Sequence, residues 1–235
     1  MKNIEVKGAI LEFMRRNCYA PLNAEALIAE IPIEGPQLSE FWKSLLELEA
    51  NGEIVKTRFA TFGLPEKMGL VAGRFQLTSK GFGFVIPDNK GEGPDVFIPP
   101  RALNGAMNND RVMARVESRV GGKKPEGEII RIITRANNKV VGVFIKTGDF
   151  GFVVPDDKRI GQDIYVARKN FGGAKPNQKV VVEVTTWPEE RKSAEGKIIE
   201  ILGNLGDVGL EILSIIKQND LPLEFPEAVI NASKR

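Results

Sequence analysis

Apolar residues among the first 71 positions recur every three or four residues, the spacing of helices that bury one face. This spacing predicts a helix over residues 4–16 and a second helix that begins at the N-cap Asn23 and ends before Pro32. A third helix is predicted after Gly35-Pro36. Its apolar stripe would consist of Leu38, Phe41, Trp42, Leu45 and Leu48.

The residues after the third helix predict a hairpin. Asn51-Gly52 is a typical helix end, residues 53–59 have high β-propensity, and a return strand is predicted at 68–71 after a Gly-Leu-Pro turn. Three helices and a hairpin predict a winged helix, whose third helix would lie in a nucleic-acid groove. That helix carries three glutamates and one lysine, so it repels phosphate, and a packing or protein-contact role is favoured.

From residue 72 the pattern changes to the two-residue alternation of β-strands. The segment 80–85 begins with Lys80 and places Phe82 and Phe84 on one face, and Phe97 supplies a third ring from a neighbouring strand. Aromatic rings beside a cation suit stacked bases and phosphates. The plain alternative is that these phenylalanines belong to the core, where large apolar side chains usually lie.

The aromatic pattern occurs twice, 68 residues apart: Phe82-Gly83-Phe84 returns as Phe150-Gly151-Phe152 and Val96-Phe97-Ile98 as Ile164-Tyr165-Val166. Each copy contains five predicted short strands, which fits a five-stranded oligonucleotide-binding (OB) barrel. The predicted fold class is therefore an α+β multidomain protein. Its predicted domains are a winged helix over 1–71, OB barrels over 72–137 and 138–203, and a linker with a short helix over 204–235.

Composition and charge narrow the possible functions. The 235 residues contain no histidine, which excludes His-based triads and zinc sites, and the single Cys18 is typical of a reducing, cytoplasmic setting. Net charge is only +2, but residues 71–137 hold 11 basic against 7 acidic side chains, and residues 138–203 hold 11 against 9. The basic excess thus lies on the repeated units, as a polyanion-binding surface requires.

The candidate site residues are the rings and cations of the two repeats. In the second repeat Gly148-Asp149 stands where Lys80-Gly81 stood, which predicts weaker binding there. The predicted RNA-binding residues are Arg74, Phe75, Lys80, Phe82, Phe84, Phe97, Arg101, Phe144, Phe150, Phe152 and Tyr165. No catalytic residue and no metal site is predicted, because the aspartates of the second repeat occupy turn positions. They are Asp149, Asp156, Asp157 and Asp163.

The segments 80–85 and 96–98 resemble the signature of cold-shock domains, and Phe75 stands where such domains carry an exposed tryptophan. The order of domains, together with the segment Leu202-Gly203-Asn204-Leu205-Gly206-Asp207, resembles the N-terminal region of ribonuclease R-like members of the ribonuclease II family. This resemblance implies single-stranded RNA binding and guidance ahead of a 3′–5′ exoribonuclease domain, in which clustered aspartates hold Mg²⁺. The 235 residues contain no such aspartate motif, so we expect a part of a longer enzyme or a shortened relative, without a cofactor of its own.

Two other functions remain open at this point. A winged-helix transcriptional regulator would bind duplex DNA and use the barrels as accessories. A stand-alone RNA chaperone of the cold-shock type would share the barrel chemistry. A protein partner of the N-terminal domain, and a gating or unwinding role for that domain on structured RNA, are further possibilities.

Overall fold

The computed structural model describes residues 6–17, 20–88, 93–118, 125–189, 192–219 and 221. The chain forms two compact units, Met1–Ala136 and Asn137–Arg235. The helices are α1 Val6–Asn17, α2 Ala24–Glu30, α3 Leu38–Ala50 and α4 Leu210–Gln218. The strands are β1 Leu22–Asn23, β2 Val55–Lys56, β3 Thr61–Gly63, β4 Leu70–Leu77, β5 Gly83–Pro87, β6 Val96–Ile98, β7 Arg111–Ser118, β8 Glu126–Thr134, β9 Lys139–Thr147, β10 Phe150–Pro155, β11 Ile164–Ala167, β12 Gln178–Thr186 and β13 Glu195–Asn204.

Some sequence predictions fall on residues outside the described ranges. They concern the turn-rich loop around 89–92, the hairpin loop around 121–124 and the proline-broken tail over 222–235. Among the described residues, no helix is both long and apolar enough to cross a membrane.

The first unit begins with three helices and a three-stranded antiparallel sheet of order β1-β3-β2, the arrangement of a winged helix. Asn23 caps α2 as predicted, because its Oδ1 accepts a hydrogen bond of 2.8 Å from the Ala26 N–H. The C-cap of α3 is Asn51, whose N–H donates to the Glu47 carbonyl. Phe41 and Leu45 of α3 lie in the core of this region.

The wing, meaning the hairpin formed by β2 and β3, is smaller than predicted. The return strand is β3, not residues 68–71. The backbone already turns between Thr57 and Thr61, because the Thr57 N–H donates a hydrogen bond of 2.8 Å to the Thr61 carbonyl. Leu70 instead begins β4, the first strand of the first barrel. The prediction of a return strand at 68–71 is therefore wrong.

The predicted apolar stripe of α3 is also divided between two sides of the helix. Phe41, Leu45 and Leu48 are buried, whereas Leu38 and Trp42 are 38% and 44% exposed. The outward side of α3 therefore carries apolar surface that the core of the unit does not use.

Each unit contains a closed five-stranded barrel with the same topology. The strand order around the first barrel, starting from β4, is β4-β5-β6-β8-β7. The order around the second barrel, starting from the equivalent strand β9, is β9-β10-β11-β13-β12. Within each barrel the pairs β6–β8 and β11–β13 are parallel and the other neighbours antiparallel. The duplication predicted from the sequence is thus present in the fold.

A buried phenylalanine explains the glycine at the centre of each Phe-Gly-Phe segment. A Cβ added to Gly83 would lie 2.3 Å from Cε2 of Phe75 and 2.5 Å from the Gln76 carbonyl oxygen. The equivalent distance from Gly151 to Cε2 of Phe144 is 2.4 Å. Each glycine therefore leaves room for a core ring of the adjacent strand.

An ion pair recurs at the same place in both barrels. Arg111 bonds Asp88 in the first barrel, with Nε to Oδ2 at 2.7 Å, and Lys179 bonds Asp156 in the second at 2.7 Å. In the first unit the Arg111 guanidinium also donates to the Asn51 carbonyl at 2.6 Å, and Arg131 donates to the Glu49 carbonyl at 3.0 Å. The two arginines thus join the first barrel to the end of α3.

The C-terminal helix of the second unit begins at Leu210, after the N-cap Gly209, which has φ of 83°. Asp207 accepts a hydrogen bond of 2.6 Å from the Asn204 N–H. Lys217 of α4 pairs with Glu200 of β13 at 2.8 Å, which holds the helix against the barrel.

Candidate nucleic-acid interface

Three aromatic rings form a cluster on the outer face of the first barrel. The first triad consists of Phe82, Phe84 and Phe97, whose ring centroids lie 5.6–5.9 Å apart. Phe84 and Phe97 are directly paired across β5 and β6, while Phe82 closes the turn before β5. All three rings are half-buried, so each keeps surface open to solvent. The predicted shared face is confirmed.

The second barrel repeats the cluster with one tyrosine. The second triad consists of Phe150, Phe152 and Tyr165, with ring centroids 5.6–5.9 Å apart. Phe152 and Tyr165 are paired across β10 and β11, and Phe150 is 37% exposed. The contacts within both triads are mainly edge-to-face, which fixes the rings against one another.

Phe75 and Phe144 do not belong to these surfaces. Both are 0% exposed and lie in the barrel interiors. The register explains this position, because Phe75 is paired with the buried Val85 and Phe144 with the buried Val153. The prediction that these two phenylalanines bind RNA is therefore wrong.

The predicted cations of the first barrel are all exposed, but they differ in their partners. Lys80 does not begin the strand as predicted; it lies in a turn that Thr78 closes through hydrogen bonds from its N–H and hydroxyl to the Phe82 carbonyl. Neither Lys80 nor Arg74 has an acidic partner among the described residues. Arg101 pairs with Glu126 at 3.1 Å, so part of its charge is compensated. Lys80 and Arg74 are thus the cations best suited to phosphate.

Sequence reasoning missed a cation in the second barrel. Arg168 follows β11 and bonds Asp149 at 2.8 Å, and Asp149 directly precedes Phe150. The acid that replaces the leading lysine is therefore neutralised by an arginine beside the second triad. No local signal could have found this pair, because the two residues are 19 positions apart.

Two neighbours of the triads were also missed. The exposed Gln76 is paired with Phe84, and Ile145, which is 44% exposed, is paired with Phe152. The alternation along each strand could have found them, since each follows the buried phenylalanine directly. They extend the two faces with an amide and an aliphatic side chain.

Asp156 and Asp157 of the second barrel are engaged in ion pairs, as Asp149 is. Asp156 bonds Lys179 with both carboxylate oxygens, and Asp157 bonds Arg159 at 2.9 Å. Burial raises the pKa of the Asp157 carboxyl, but hydrogen bonds from the Arg159 side chain and N–H and its positive charge bring that pKa below its ordinary value. Within the part of the chain that the structure describes, no three metal-ligating side chains come together.

Comparison with known families agrees with this architecture. The family model of the ribonuclease B OB domain matches residues 73–132, and that of the cold shock domain matches residues 152–226. Ribonuclease R of Thermotoga maritima is 40% identical over 189 residues, which cover 78% of this chain and 26% of the relative. Ribonuclease R of Escherichia coli K12 is 30% identical over 210 residues, covering 89% of this chain and 26% of the relative.

The chain belongs to the ribonuclease R family. It corresponds to the N-terminal region of the family's proteins, as the resemblance of its domain order predicts. The chain spans about a quarter of the length of these two ribonuclease R relatives.

Solved structures show the same fold. Mycoplasma genitalium RNase R in complex with ribose-methylated single-stranded RNA superposes with a TM-score of 0.61 at 20% identity, over 70% of this chain and 27% of that one. The yeast pseudonuclease Ssd1 superposes with a TM-score of 0.55 at 16% identity, over 65% and 25% of the two chains. Both of these solved structures thus share the arrangement of elements found here.

Proposed function

We propose that this chain binds and guides single-stranded RNA as the N-terminal region of a ribonuclease R-like processive 3′–5′ exoribonuclease. The observation that supports this function best is the repetition of one triad geometry on two barrels. Half-buried rings offer faces on which bases stack, and stacking accepts any base, as a guide for RNA of any sequence requires. The RNA-bound relative in the same family supports the choice of RNA.

The two triads would contribute unequally. Lys80 and Arg74 lie in the first barrel without acidic partners among the described residues, whereas Arg168 in the second barrel is already paired with Asp149. Phosphate attraction by a paired cation is weaker, because the acid offsets its charge. The first triad is therefore the main anchor, and the second is a further stacking site for the strand.

The experiment that tests this proposal is fluorescence anisotropy of labelled single-stranded RNA, duplex RNA and duplex DNA over a salt series. We expect a salt-sensitive preference for single strands, and Phe82→Ala should weaken binding about 5- to 150-fold, since a stacked base contributes roughly 1–3 kcal/mol. The control variant is Leu46→Ala, an exposed apolar residue of α3 outside both barrels. If the Phe82→Ala variant bound single-stranded RNA as tightly as wild type, the first triad would not be the binding surface.

Cleavage of RNA is not assigned to this chain. In the family, divalent metal ions such as Mg²⁺ act in the catalytic domain, and in-line hydrolysis needs several carboxylates at one point. Because the described residues bring no such cluster together, we expect RNA incubated with this chain and Mg²⁺ to keep its length on a denaturing gel. We infer a cytoplasmic location from the single cysteine and the RNA substrate.

A protein contact is the second role that an observation favours, and it concerns α3. Its outward side presents Leu38, Trp42 and Leu46 between glutamates, with Leu46 63% exposed. The glutamates repel the phosphates of duplex DNA. Together with the apolar residues between them, they suit a polypeptide with apolar and basic side chains. A preference for duplex DNA in the anisotropy experiment would instead favour a transcriptional regulator.

A further inference from the structure

The tip of the wing displays a phenylalanine to solvent. Phe59 lies in the four-residue turn between β2 and β3 and is 72% exposed. Among the exposed large apolar side chains of the first unit, it is the most exposed. Large apolar rings lie mostly inside proteins, so a ring held this far outside calls for a function.

Hydrogen bonds fix the backbone of the turn that carries this ring. The Thr57 and Thr61 hydroxyls bond each other at 2.6 Å, and the Phe59 N–H donates to the Thr57 hydroxyl at 3.2 Å. Ala60 has φ of 56°, in the left-handed region that residues other than glycine seldom adopt. Backbone strain of this kind persists where the surrounding contacts impose it, and it concentrates at binding sites. The wing is thus built to present the ring.

The charges around the ring favour a polyanion. The Arg58 guanidinium lies 4.7 Å from the centroid of the Phe59 ring, so it covers one face and leaves the other open. Lys56 is also exposed, with its Nζ 5.8 Å from the centroid of the Phe62 ring, and residues 54–63 contain no acidic side chain. A ring with one open face, one cation beside it and a second cation in the same hairpin combines the two features that single-stranded nucleic acid requires.

We propose that the wing tip is a second nucleic-acid site, in which Phe59 stacks on one exposed base while Arg58 and Lys56 contact neighbouring phosphates. This site is separate from the aromatic triads and adds to the proposed function. It also reverses the usual assignment within a winged helix. The third helix would face a protein or solvent, and the wing would contact RNA.

Anisotropy with labelled single-stranded RNA and the full chain tests the affinity. Phe59→Ala should weaken binding about 5-fold or more, as expected for the loss of one stacked base, whereas Phe59→Tyr should stay within about 2-fold of wild type. Leu46→Ala, another exposed apolar residue of this unit, should bind like wild type. Wild-type affinity of Phe59→Ala, or an equal loss in Phe59→Tyr, would overturn the proposal.

Crosslinking locates the contact. RNA that contains 4-thiouridine should crosslink to the tryptic peptide 59–67, which begins with Phe59. Crosslinks to the peptide 17–43, which carries Leu38 and Trp42 of the exposed face of α3, or to the peptide 44–56, which carries Leu46, would overturn the assignment to the wing. If Phe82→Ala leaves affinity unchanged while Phe59→Ala weakens it, the triad proposal fails and the wing site stands. If Phe59→Ala leaves affinity unchanged while Phe82→Ala weakens it, the wing proposal fails and the triad proposal stands.

Discussion

Phe75 and Phe84 lie on adjacent strands of one barrel, yet the structure gives them opposite roles. Phe75 is fully buried, whereas Phe84 is half-buried on the outer face beside Phe97. The same substitution, phenylalanine to leucine, should therefore affect stability at one position and RNA affinity at the other. This matched pair separates a core ring from a binding ring within a single domain.

The size of each effect follows from burial. Phe75→Leu removes three buried carbons, and at about 0.8 kcal/mol per carbon the unfolding free energy should fall by about 2 kcal/mol. This value lies below the roughly 3–5 kcal/mol that a change to alanine costs at a buried phenylalanine. Phe84→Leu loses edge contacts with the other two rings and a stacking surface, so RNA binding should weaken about 5- to 150-fold.

The chain offers a convenient reporter for the stability measurement. Trp42 lies in the first unit and Trp187 in the second, and the sequence contains only these two tryptophans. In a Trp187→Phe background, the fluorescence of Trp42 during urea unfolding reports the first unit alone. RNA anisotropy is then measured at a temperature where both leucine variants are fully folded.

One result would refute the assignment of roles. If folded Phe75→Leu lost RNA affinity as strongly as Phe84→Leu, the buried ring would have to reach RNA, and the register of β4 with β5 would be wrong. Equal losses of stability in the two variants would contradict the difference in burial. Phe144→Leu and Phe152→Leu repeat the comparison in the second barrel, where weaker RNA effects are expected.

Three further predictions concern packing, phosphate contact and pH. Gly151→Ala should lower the unfolding free energy of the second unit by about 1–3 kcal/mol, because its Cβ would overlap a core ring and a carbonyl. Gly8→Ala, whose Cβ would enter open space, should not lower the unfolding free energy measured with urea. Lys80→Ala should reduce the slope of log affinity against log salt by about 0.7, as one lost phosphate contact predicts, and Arg168→Ala should reduce it less because that arginine is already paired. Asp157→Asn should cost less than about 1 kcal/mol of stability at neutral pH, and the difference should vanish as pH falls, because a lowered carboxyl pKa stabilises the fold only above it. Equal unfolding curves for Asp157→Asn and wild type at neutral pH, or equal salt slopes for the two cation variants, would contradict the respective predictions.

Local signals in the sequence were sufficient for the helices, the N-cap and the duplication. Asn23, the helix end at Asn51-Gly52 and the 68-residue repeat each depend on neighbouring residues or on direct comparison of two segments. The same holds for the shared face of Phe82 and Phe84, since strand alternation alone determines it. These features could be predicted because no distant contact decides them.

The predictions are wrong where contacts beyond the local pattern decide the outcome. The spacing to Lys80 predicts Phe75 at the surface, but Phe75 is paired with Val85 and lies over Gly83, which places it inside. The return strand of the wing begins at Thr61 because threonine hydroxyls close a tight turn, which β-propensity over 53–59 does not show. Arg168 reaches Asp149 only after two strands have paired. The cases of Phe75 and Arg168 depend on pairing between strands, whereas the wing depends on side-chain hydrogen bonds within its own turn.

The duplication separates what the barrel needs from what its surface binds. Both copies keep the interior ring facing a glycine and the ion pair at 88–111 or 156–179. Both also keep three rings at matching distances on the outer face, although the fold itself requires only the interior ring. The charged residues around those rings differ, from Lys80, which has no acidic partner among the described residues, to the Asp149–Arg168 pair. Because stacking is common to both copies and charge is not, the two barrels would bind the same ligand with different dependence on salt.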